Sequence, residues 1–186
     1  DLAGRTAVVV GMGAIGRRIA AACRGLGIEV VGVRRERKGD DHPIEDLSSL
    51  LSRAEILFLS VPDTPATRGM IGEAELALLP TGAILVNVSR GAVVEEGPLY
   101  RALLEGHLFG AGIDVWYRYP EREEDRAATP PSEFPFHEID NVVLSPHRAG
   151  HSVRTEILRA EHLAELLSAL AAGGEVRDRV DPVRGY

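Results

Sequence analysis

The feature that most constrains this chain is the segment Gly11-Met12-Gly13-Ala14-Ile15-Gly16. It follows an apolar run, Thr6–Val10, that favours a strand, and it leads into a stretch, Ala14–Arg24, that favours a helix. In such a unit the first glycine permits a tight turn, the second lets a pyrophosphate approach the backbone, and the third lets the helix pack closely on the strand. The helix N-terminus offers N–H donors to phosphates. The pattern therefore predicts a dinucleotide site at residues 11–16; a plain tight turn without a ligand is the alternative.

Short apolar runs alternate with helical stretches along the chain, which is typical of a doubly wound parallel sheet in the α/β class. The predicted strands are 6–10, 28–33, 56–59, 83–88, 110–115 and 142–144, and the predicted helices are 14–24, 44–52, 73–79, 98–105 and 152–171. We expect a Rossmann-like NAD(P)-binding domain over residues 1–150, followed over 151–186 by a long helix, with Ser152 as its N-cap, and a polar tail. The charged and proline-rich segment 117–136 is predicted to be an exposed loop.

Composition limits the partners of the chain. A net charge of −7 over 186 residues argues against nucleic acid and anionic membranes as partners, and no run of about 18 apolar residues predicts a membrane span. The single cysteine, Cys23, lies with Ile15 and Ile19 on the apolar side of the first predicted helix, where we expect it to be buried. It excludes an internal disulfide and favours a cytoplasmic protein. No metal site is predicted, because the histidines and carboxylates lack ligand spacing.

The residues after the second predicted strand bear on the choice of cofactor. Ligands of open parallel sheets bind beyond the carboxyl ends of the strands, and here Arg34 and Arg35 follow Val33. Because arginine binds phosphate bidentately, these residues predict a preference for the 2′-phosphate of NADP. NAD is the alternative cofactor, with the basic residues forming a solvated turn and Glu36 reaching the ribose.

Two further strand ends carry residues suited to hydride-transfer chemistry. Arg90 follows a predicted buried strand, where a guanidinium could bind a carboxylate and polarise an adjacent carbonyl. His147 follows Ser145-Pro146 at the last strand end, where an imidazole could exchange a proton with a substrate hydroxyl. A surface arginine in a salt bridge and a structural histidine are the alternatives, and His151 is expected to be a bystander.

Taken together, these segments resemble the D-isomer-specific 2-hydroxyacid dehydrogenases. The motifs that carry the resemblance cover nearly the whole chain in the order of the family: 11–16, 61–67, 87–91, 110–115 and 145–150. The resemblance implies that Arg90 holds the carboxylate and carbonyl of a 2-oxo acid and that His147 is the acid/base. It also implies that Val61 and Pro62 flank the adenosine and that Asp114 faces the nicotinamide amide. The candidate cofactor residues are Gly11, Gly13, Ala14, Ile15, Gly16, Arg34, Arg35, Val61, Pro62, Thr67, Val88, Ser89, Asp114, His147 and Gly150.

The sequence departs from the family pattern at Tyr119. Members usually carry a catalytic glutamate five residues after the aspartate that matches Asp114, and here a tyrosine stands before Pro120. That glutamate pairs with the histidine and supports its protonated state, whereas a phenol is neutral near pH 7. We therefore include Tyr119 among the catalytic candidates, with contact to His147 as a hypothesis; a swing of Glu121 toward the histidine is the alternative.

The resemblance also implies that the family's substrate domain requires an N-terminal segment that this chain lacks. We expect residues 1–186 to bind NADP or NAD but to turn over little 2-oxo acid substrate, because half of the cleft is missing. In the intact protein we expect an NAD(P)-dependent oxidoreductase, a homodimer that interconverts a 2-oxo acid and a D-2-hydroxy acid. A non-catalytic, dinucleotide-sensing corepressor or scaffold is the alternative.

Overall fold

The computed structural model describes residues 1–177 and 179–181. Its chain forms two compact units, 1–146 and 147–186, and each is described by itself. The predicted boundary after residue 150 stays a prediction. Part of the predicted tail lies outside the described residues.

The first unit contains a seven-stranded sheet in which every pair of neighbouring strands is parallel. The strand order is β3-β2-β1-β4-β5-β6-β7. The strands are β1 (Thr6–Val10), β2 (Glu29–Arg34), β3 (His42–Pro43), β4 (Ile56–Leu59), β5 (Ala83–Asn87), β6 (Leu108–Ile113) and β7 (Val142–Leu144). The order reverses direction at β1, which lies between β2 and β4, so the predicted doubly wound α/β fold is confirmed.

Helices join most of the strands. They are α1 (Ala14–Gly25), α2 (Leu47–Leu51), α3 (Glu73–Leu78), α4 (Glu96–Leu104) and α5 (Val153–Ala171). The predicted helix 44–52 is divided, because a 3₁₀ turn at Ile44–Asp46 precedes α2. The short strand β3 was not predicted, and its two residues pair with Val33 and Arg34 at the sheet edge. None of the described helices is long and apolar enough to cross a membrane.

The core forms around the central strands, whose side chains are buried on both faces of the sheet. Four residues of β1, Ala7 to Val10, are fully buried, as expected for a parallel strand flanked by helices. Cys23 is buried as predicted. The predicted apolar stripe of the first helix is wrong at Ile15, which is 57% exposed. The buried residues of α1 are instead Gly16, Ala20 and Cys23, because a glycine at position 16 lets the helix lie close to the turn.

The segment 117–136 is only partly the exposed loop that the sequence predicted. Its charged part forms a 3₁₀ turn at Glu123–Ala127 with no buried residue. Its end is anchored in the core: Phe136 is fully buried and packs edge-to-face on Tyr100 of α4 at 5.4 Å between ring centroids. The prediction failed there because the prolines indicated a loop, while the aromatic side chains between them supply apolar area that favours burial.

The second unit contains α5. Its N-terminus confirms the predicted cap, since the Ser152 hydroxyl accepts a hydrogen bond from the Thr155 backbone N–H at 3.1 Å. None of the described α5 residues is buried.

Candidate functional site

The loop of residues 11–16, named the phosphate loop below, connects β1 to α1 at the carboxyl edge of the sheet. Gly11 has a φ of +99°, and a side chain there would place its Cβ 2.6 Å from the Ser60 carbonyl oxygen. A Cβ at Gly16 would collide with the carbonyl oxygen of Gly11. These two glycines are therefore required by the turn itself.

Gly13 differs from its two neighbours in the motif. A Cβ built on Gly13 meets no atom within 4 Å, and Gly13, Ala14 and Ile15 are exposed. Gly13 is the N-cap of α1, no side chain caps the helix, and the first turn contains no acidic residue. The N-terminus of α1 thus presents backbone N–H groups that no side chain caps, beside the open space at Gly13. A pyrophosphate group could accept hydrogen bonds from these N–H groups and occupy that space.

The end of β2 differs from the sequence prediction in one respect. Arg34 is the last residue of β2 rather than the residue after it, and its guanidinium lies 3.7 Å from the Asp41 carboxylate. Asp41 lies beside Gly32, where a Cβ would collide with its Oδ1 atom. Arg35 and the alternative residue Glu36 are exposed. The structure therefore places the carboxylate of Asp41 beside the basic turn. The sequence did not predict this acidic neighbour.

The loop after β5 is organised by the buried side chain of Asn87. Its Oδ1 accepts hydrogen bonds from the Ser89 backbone N–H at 3.0 Å and from the Ser89 hydroxyl at 2.6 Å. Its Nδ2 donates to the carbonyl oxygen of Arg90 at 3.0 Å. These bonds fix the backbone that precedes and includes Arg90, whose exposed side chain donates to the Ser89 carbonyl oxygen at 2.7 Å. Val88 continues the ladder by donating from its N–H to the carbonyl oxygen of Leu59.

The ends of β6 and β7 are tied together by side chains. Asp114 is 6% exposed, and the Ser145 hydroxyl donates to its Oδ1 at 2.6 Å. The indole Nε1 of Trp116 donates to the Ser145 carbonyl oxygen at 2.9 Å. Gly91 packs directly on the backbone of Trp116, since a Cβ on that glycine would collide with the Trp116 carbonyl oxygen. The loops after β5, β6 and β7 thus form one continuous surface within the first unit.

Tyr119 is 47% exposed, and its phenol oxygen accepts a hydrogen bond from the Trp116 backbone N–H at 2.9 Å. This bond holds the phenol against the turn that follows β6. The contact between Tyr119 and His147 stays a prediction, and Glu121 is exposed.

The loop after β4 holds the remaining candidates of the first unit. Val61 packs against the core, and Pro62 is exposed. The Thr67 hydroxyl donates to the Pro62 carbonyl oxygen at 2.5 Å and accepts from the Thr64 N–H at 2.9 Å. Thr67 therefore stabilises the shape of this loop, and its position along a cofactor stays a prediction.

His147 and Gly150 belong to the second unit. His147 has a φ of +57° and is the only non-glycine residue with positive φ among residues 1–177 and 179–181. Histidine tolerates this left-handed conformation better than most residues, and such backbone strain is concentrated at functional sites. Gly150 is exposed, and the His151 Nδ1 lies 3.8 Å from a Glu156 oxygen.

The first unit has two surface pockets. One, of about 290 Å³, lies between α3 and α4 beside His107, which directly precedes β6. The other, of about 370 Å³, lies beyond the carboxyl ends of β6 and β7. Among the described residues no group of three histidine, cysteine or acidic side chains is placed to hold a metal ion.

Sequence reasoning missed the roles of Asn87 and Asp41. An asparagine at a strand end, two residues before a serine, is a signal for a side-chain-to-backbone turn and could have indicated Asn87. Asp41 had no such signal, because its position depends on the pairing of β3 with β2.

Comparison with known proteins identifies the class of protein to which this fold belongs. Residues 1–149 match the family model described as "D-isomer specific 2-hydroxyacid dehydrogenase, NAD binding domain". The chain therefore belongs to the D-isomer specific 2-hydroxyacid dehydrogenase family.

Particular relatives are similar over nearly the whole chain. A glyoxylate reductase of Korarchaeum cryptofilum is 40% identical over 178 residues, which are 93% of this chain and 51% of that protein. The structure of an NADPH complex from Xanthobacter autotrophicus Py2 matches with a TM-score of 0.84 and 34% identity, over 98% of this chain and 73% of that one. An NADPH-dependent glyoxylate/hydroxypyruvate reductase from Sinorhizobium meliloti, in complex with NADP and sulfate, matches with a TM-score of 0.86 and 27% identity, over 98% of this chain and 57% of that one.

This chain spans about half the length of the glyoxylate reductases that it matches. The curated relatives carry the names of enzymes, such as glyoxylate reductase and D-3-phosphoglycerate dehydrogenase, so the corepressor or scaffold alternative is not favoured.

Proposed function

We propose that the intact protein is an NAD(P)-dependent oxidoreductase that interconverts a 2-oxo acid and a D-2-hydroxy acid. The observation that carries the proposal is the placement of Arg90. Asn87 holds the Arg90 backbone at the carboxyl edge of the sheet, the same edge at which the phosphate loop follows β1. A cation that can bind a carboxylate, at the same edge of the sheet as an open dinucleotide site, is what hydride transfer to a 2-oxo acid requires.

When bound, a nicotinamide dinucleotide would supply the hydride that adds to C2 of the 2-oxo acid. Arg90 binds the carboxylate and polarises the neighbouring carbonyl, so that negative charge can develop on its oxygen. His147 gives a proton to that oxygen, which becomes the hydroxyl, and takes the proton back in the reverse direction. For Tyr119 we propose the role of a neutral hydrogen-bonding group in place of the family's glutamate. Arg90 and Tyr119 belong to the first unit, His147 to the second.

For the cofactor we propose NADP in preference to NAD. The support is the basic turn that begins at Arg34 and continues through Arg35, Arg37 and Lys38, because guanidinium groups bind a 2′-phosphate well. The similar proteins from Xanthobacter autotrophicus and Sinorhizobium meliloti were solved with NADPH and NADP. Asp41 opposes this preference, since its carboxylate pairs with Arg34 and repels a phosphate. Assembly as a homodimer and a cytoplasmic location remain predictions from the sequence.

The experiment that tests the proposal follows NADPH consumption by the intact gene product with a panel of 2-oxo acids. We expect reduction by the wild type, and a fall in kcat of about 100-fold or more for His147→Asn, the loss expected when a general acid is removed. Asparagine also tolerates the positive φ at this position, so the backbone is preserved. His137→Asn, at an exposed histidine, is the matched control and should keep wild-type kcat. Failure of the wild type to reduce any 2-oxo acid with NADPH or NADH would disprove the proposal.

A further inference from the structure

A pocket of about 370 Å³ lies in the first unit beyond the carboxyl ends of β6 and β7. One wall is formed by the turn after β6 and by residues 129 and 131, and the other by the end of β7 and residues 145 and 146. Its volume falls in the range of small-ligand sites, which is roughly 300–1,000 Å³. It lies at the carboxyl edge of the sheet, where ligands of parallel α/β folds bind.

The walls of this pocket are largely apolar and are held in place. The apolar side chains that line it are Trp116, Tyr119, Pro120, Pro131, Leu144 and Pro146. The indole of Trp116 is fixed by its hydrogen bond to Ser145 and by edge-to-face packing on Phe136, at 6.5 Å between centroids. Leu144 is 38% exposed although it ends a strand. A pocket of fixed rings and partly exposed apolar residues favours an apolar ligand group.

The polar side chains of the pocket are already paired within the first unit. Arg118 forms an ion pair with Glu133, and Ser145 donates its hydroxyl hydrogen to Asp114. Thr129 donates to the carbonyl oxygen of Asp125 at 2.9 Å. The charge of Arg118 is compensated by that of Glu133, so the side chains that line the pocket offer no uncompensated positive charge to a phosphorylated substituent.

One wall of the pocket also touches the loop that carries Arg90. Gly91 packs on the Trp116 carbonyl oxygen and close to the Tyr117 N–H, so the backbone that carries Arg90 touches the backbone that forms the pocket wall. The loop that carries Arg90 and the wall of the pocket are therefore neighbours within the first unit. In a 2-oxo acid, C2 carries the carboxylate on one side and the side chain on the other. The carboxylate carbon and the first side-chain carbon are therefore only two bonds apart.

We propose that this pocket receives the side chain of the 2-oxo acid and that it selects a branched aliphatic or aromatic group over the hydrogen of glyoxylate or a phosphorylated chain. The inference rests on the proposed function, because it takes the carboxylate of the same substrate to be bound by Arg90.

The test compares kcat/KM of the intact gene product for phenylpyruvate, 4-methyl-2-oxopentanoate, glyoxylate and phosphohydroxypyruvate, each with NADPH and, separately, with NADH. We expect the two apolar substrates to exceed glyoxylate by about tenfold or more, since even one methylene in an apolar pocket is worth about tenfold. Thr129→Phe fills the pocket and should lower the ratio of phenylpyruvate to glyoxylate by about tenfold. Thr81→Phe, at an exposed threonine before β5, should leave that ratio at the wild-type value.

A second variant guards against misfolding as the cause. Leu144→Ala widens the pocket and should shift preference from 4-methyl-2-oxopentanoate toward phenylpyruvate. The pocket assignment is overturned, and the proposed function stands, if glyoxylate or phosphohydroxypyruvate is reduced more efficiently than both apolar substrates, or if both pocket variants leave the substrate ratios unchanged. Absence of turnover with all four acids and either cofactor would overturn the proposed function, and this inference with it.

Discussion

The Ser145 hydroxyl donates a 2.6 Å hydrogen bond to the buried carboxyl group of Asp114, and this bond links the ends of β7 and β6. Ser145→Ala would remove a donor from a buried acceptor. We expect the free energy of unfolding to fall by about 1–3 kcal/mol, the cost of removing one hydrogen-bond partner from a buried polar group. Urea titration of the intact gene product measures this change.

Ser52→Ala is the matched control for that substitution. The Ser52 hydroxyl also donates a hydrogen bond, at 3.1 Å to the Ser49 carbonyl oxygen, but on an exposed surface. Its removal should change the free energy of unfolding by no more than about 0.5 kcal/mol. Equal effects of the two substitutions would show that the Asp114–Ser145 bond does not stabilise the sheet edge.

Alanine substitutions at two glycines of the phosphate loop should have different effects, one on stability and the other on cofactor binding. Gly16→Ala places a methyl group against the Gly11 carbonyl oxygen, so we expect a loss of about 2 kcal/mol or more of stability. Gly13→Ala enters open space and should cost no more than about 1 kcal/mol. The same methyl group would stand where a pyrophosphate approaches the backbone, so NADPH affinity should fall by about tenfold. Thermal unfolding and calorimetric titration with NADPH measure the two effects; unchanged affinity in Gly13→Ala would refute the dinucleotide site.

The ion pair between Arg34 and Asp41 should set the cofactor preference. Asp41→Asn removes a negative charge beside the basic turn and should raise the ratio of kcat/KM for NADPH to that for NADH by about tenfold, equivalent to about 1.4 kcal/mol. Arg34→Gln should lower the ratio by a similar factor. Glu73→Gln breaks an ion pair with Arg101 elsewhere on the surface and is the control. If Arg34→Gln leaves the ratio unchanged, Arg34 does not read the 2′-phosphate.

The phenol of Tyr117 should make the stability of the protein depend on pH in alkaline solution. Burial, and secondly the negative charge of Glu96, raise the pKa of the Tyr117 phenol above its ordinary value. The native state therefore keeps a proton that the unfolded chain loses above about pH 10. This contribution to stability is fully present below that pH and decreases as the pH rises further. Tyr117→Phe should remove this decrease. Between about pH 7 and pH 11 the free energy of unfolding should therefore fall more in the wild type than in the variant. Parallel profiles would contradict this explanation.

Much of the fold could be predicted because the signals for its strands and turns lie within single short segments of the sequence. The apolar runs of β1 and β4 and the glycines of the phosphate loop are local signals, and their strand and turn assignments are confirmed. The strand ends then indicated where Arg90 would lie. Roles for the candidate residues themselves remain predictions, since they depend on ligands.

The features that the sequence did not reveal depend on contacts between distant segments. Asp41 reaches Gly32 only because β3 pairs with β2. Phe136 is buried because Tyr100 of α4 supplies an aromatic partner. Ile15 is exposed although it continues the apolar spacing of Cys23, because Gly16 rather than Ile15 faces the turn. In each case local periodicity was overridden by tertiary packing.

The most direct test of this account measures kcat/KM for 2-oxo acid reduction by the intact gene product with Arg90 replaced by lysine. Lysine keeps the charge but loses the bidentate geometry, so we predict a fall of about 100-fold with NADPH affinity unchanged. Arg101→Lys, at a surface arginine paired with Glu73, should retain wild-type kcat/KM. Wild-type kcat/KM in Arg90→Lys would contradict the assignment of Arg90 as the group that binds and polarises the substrate.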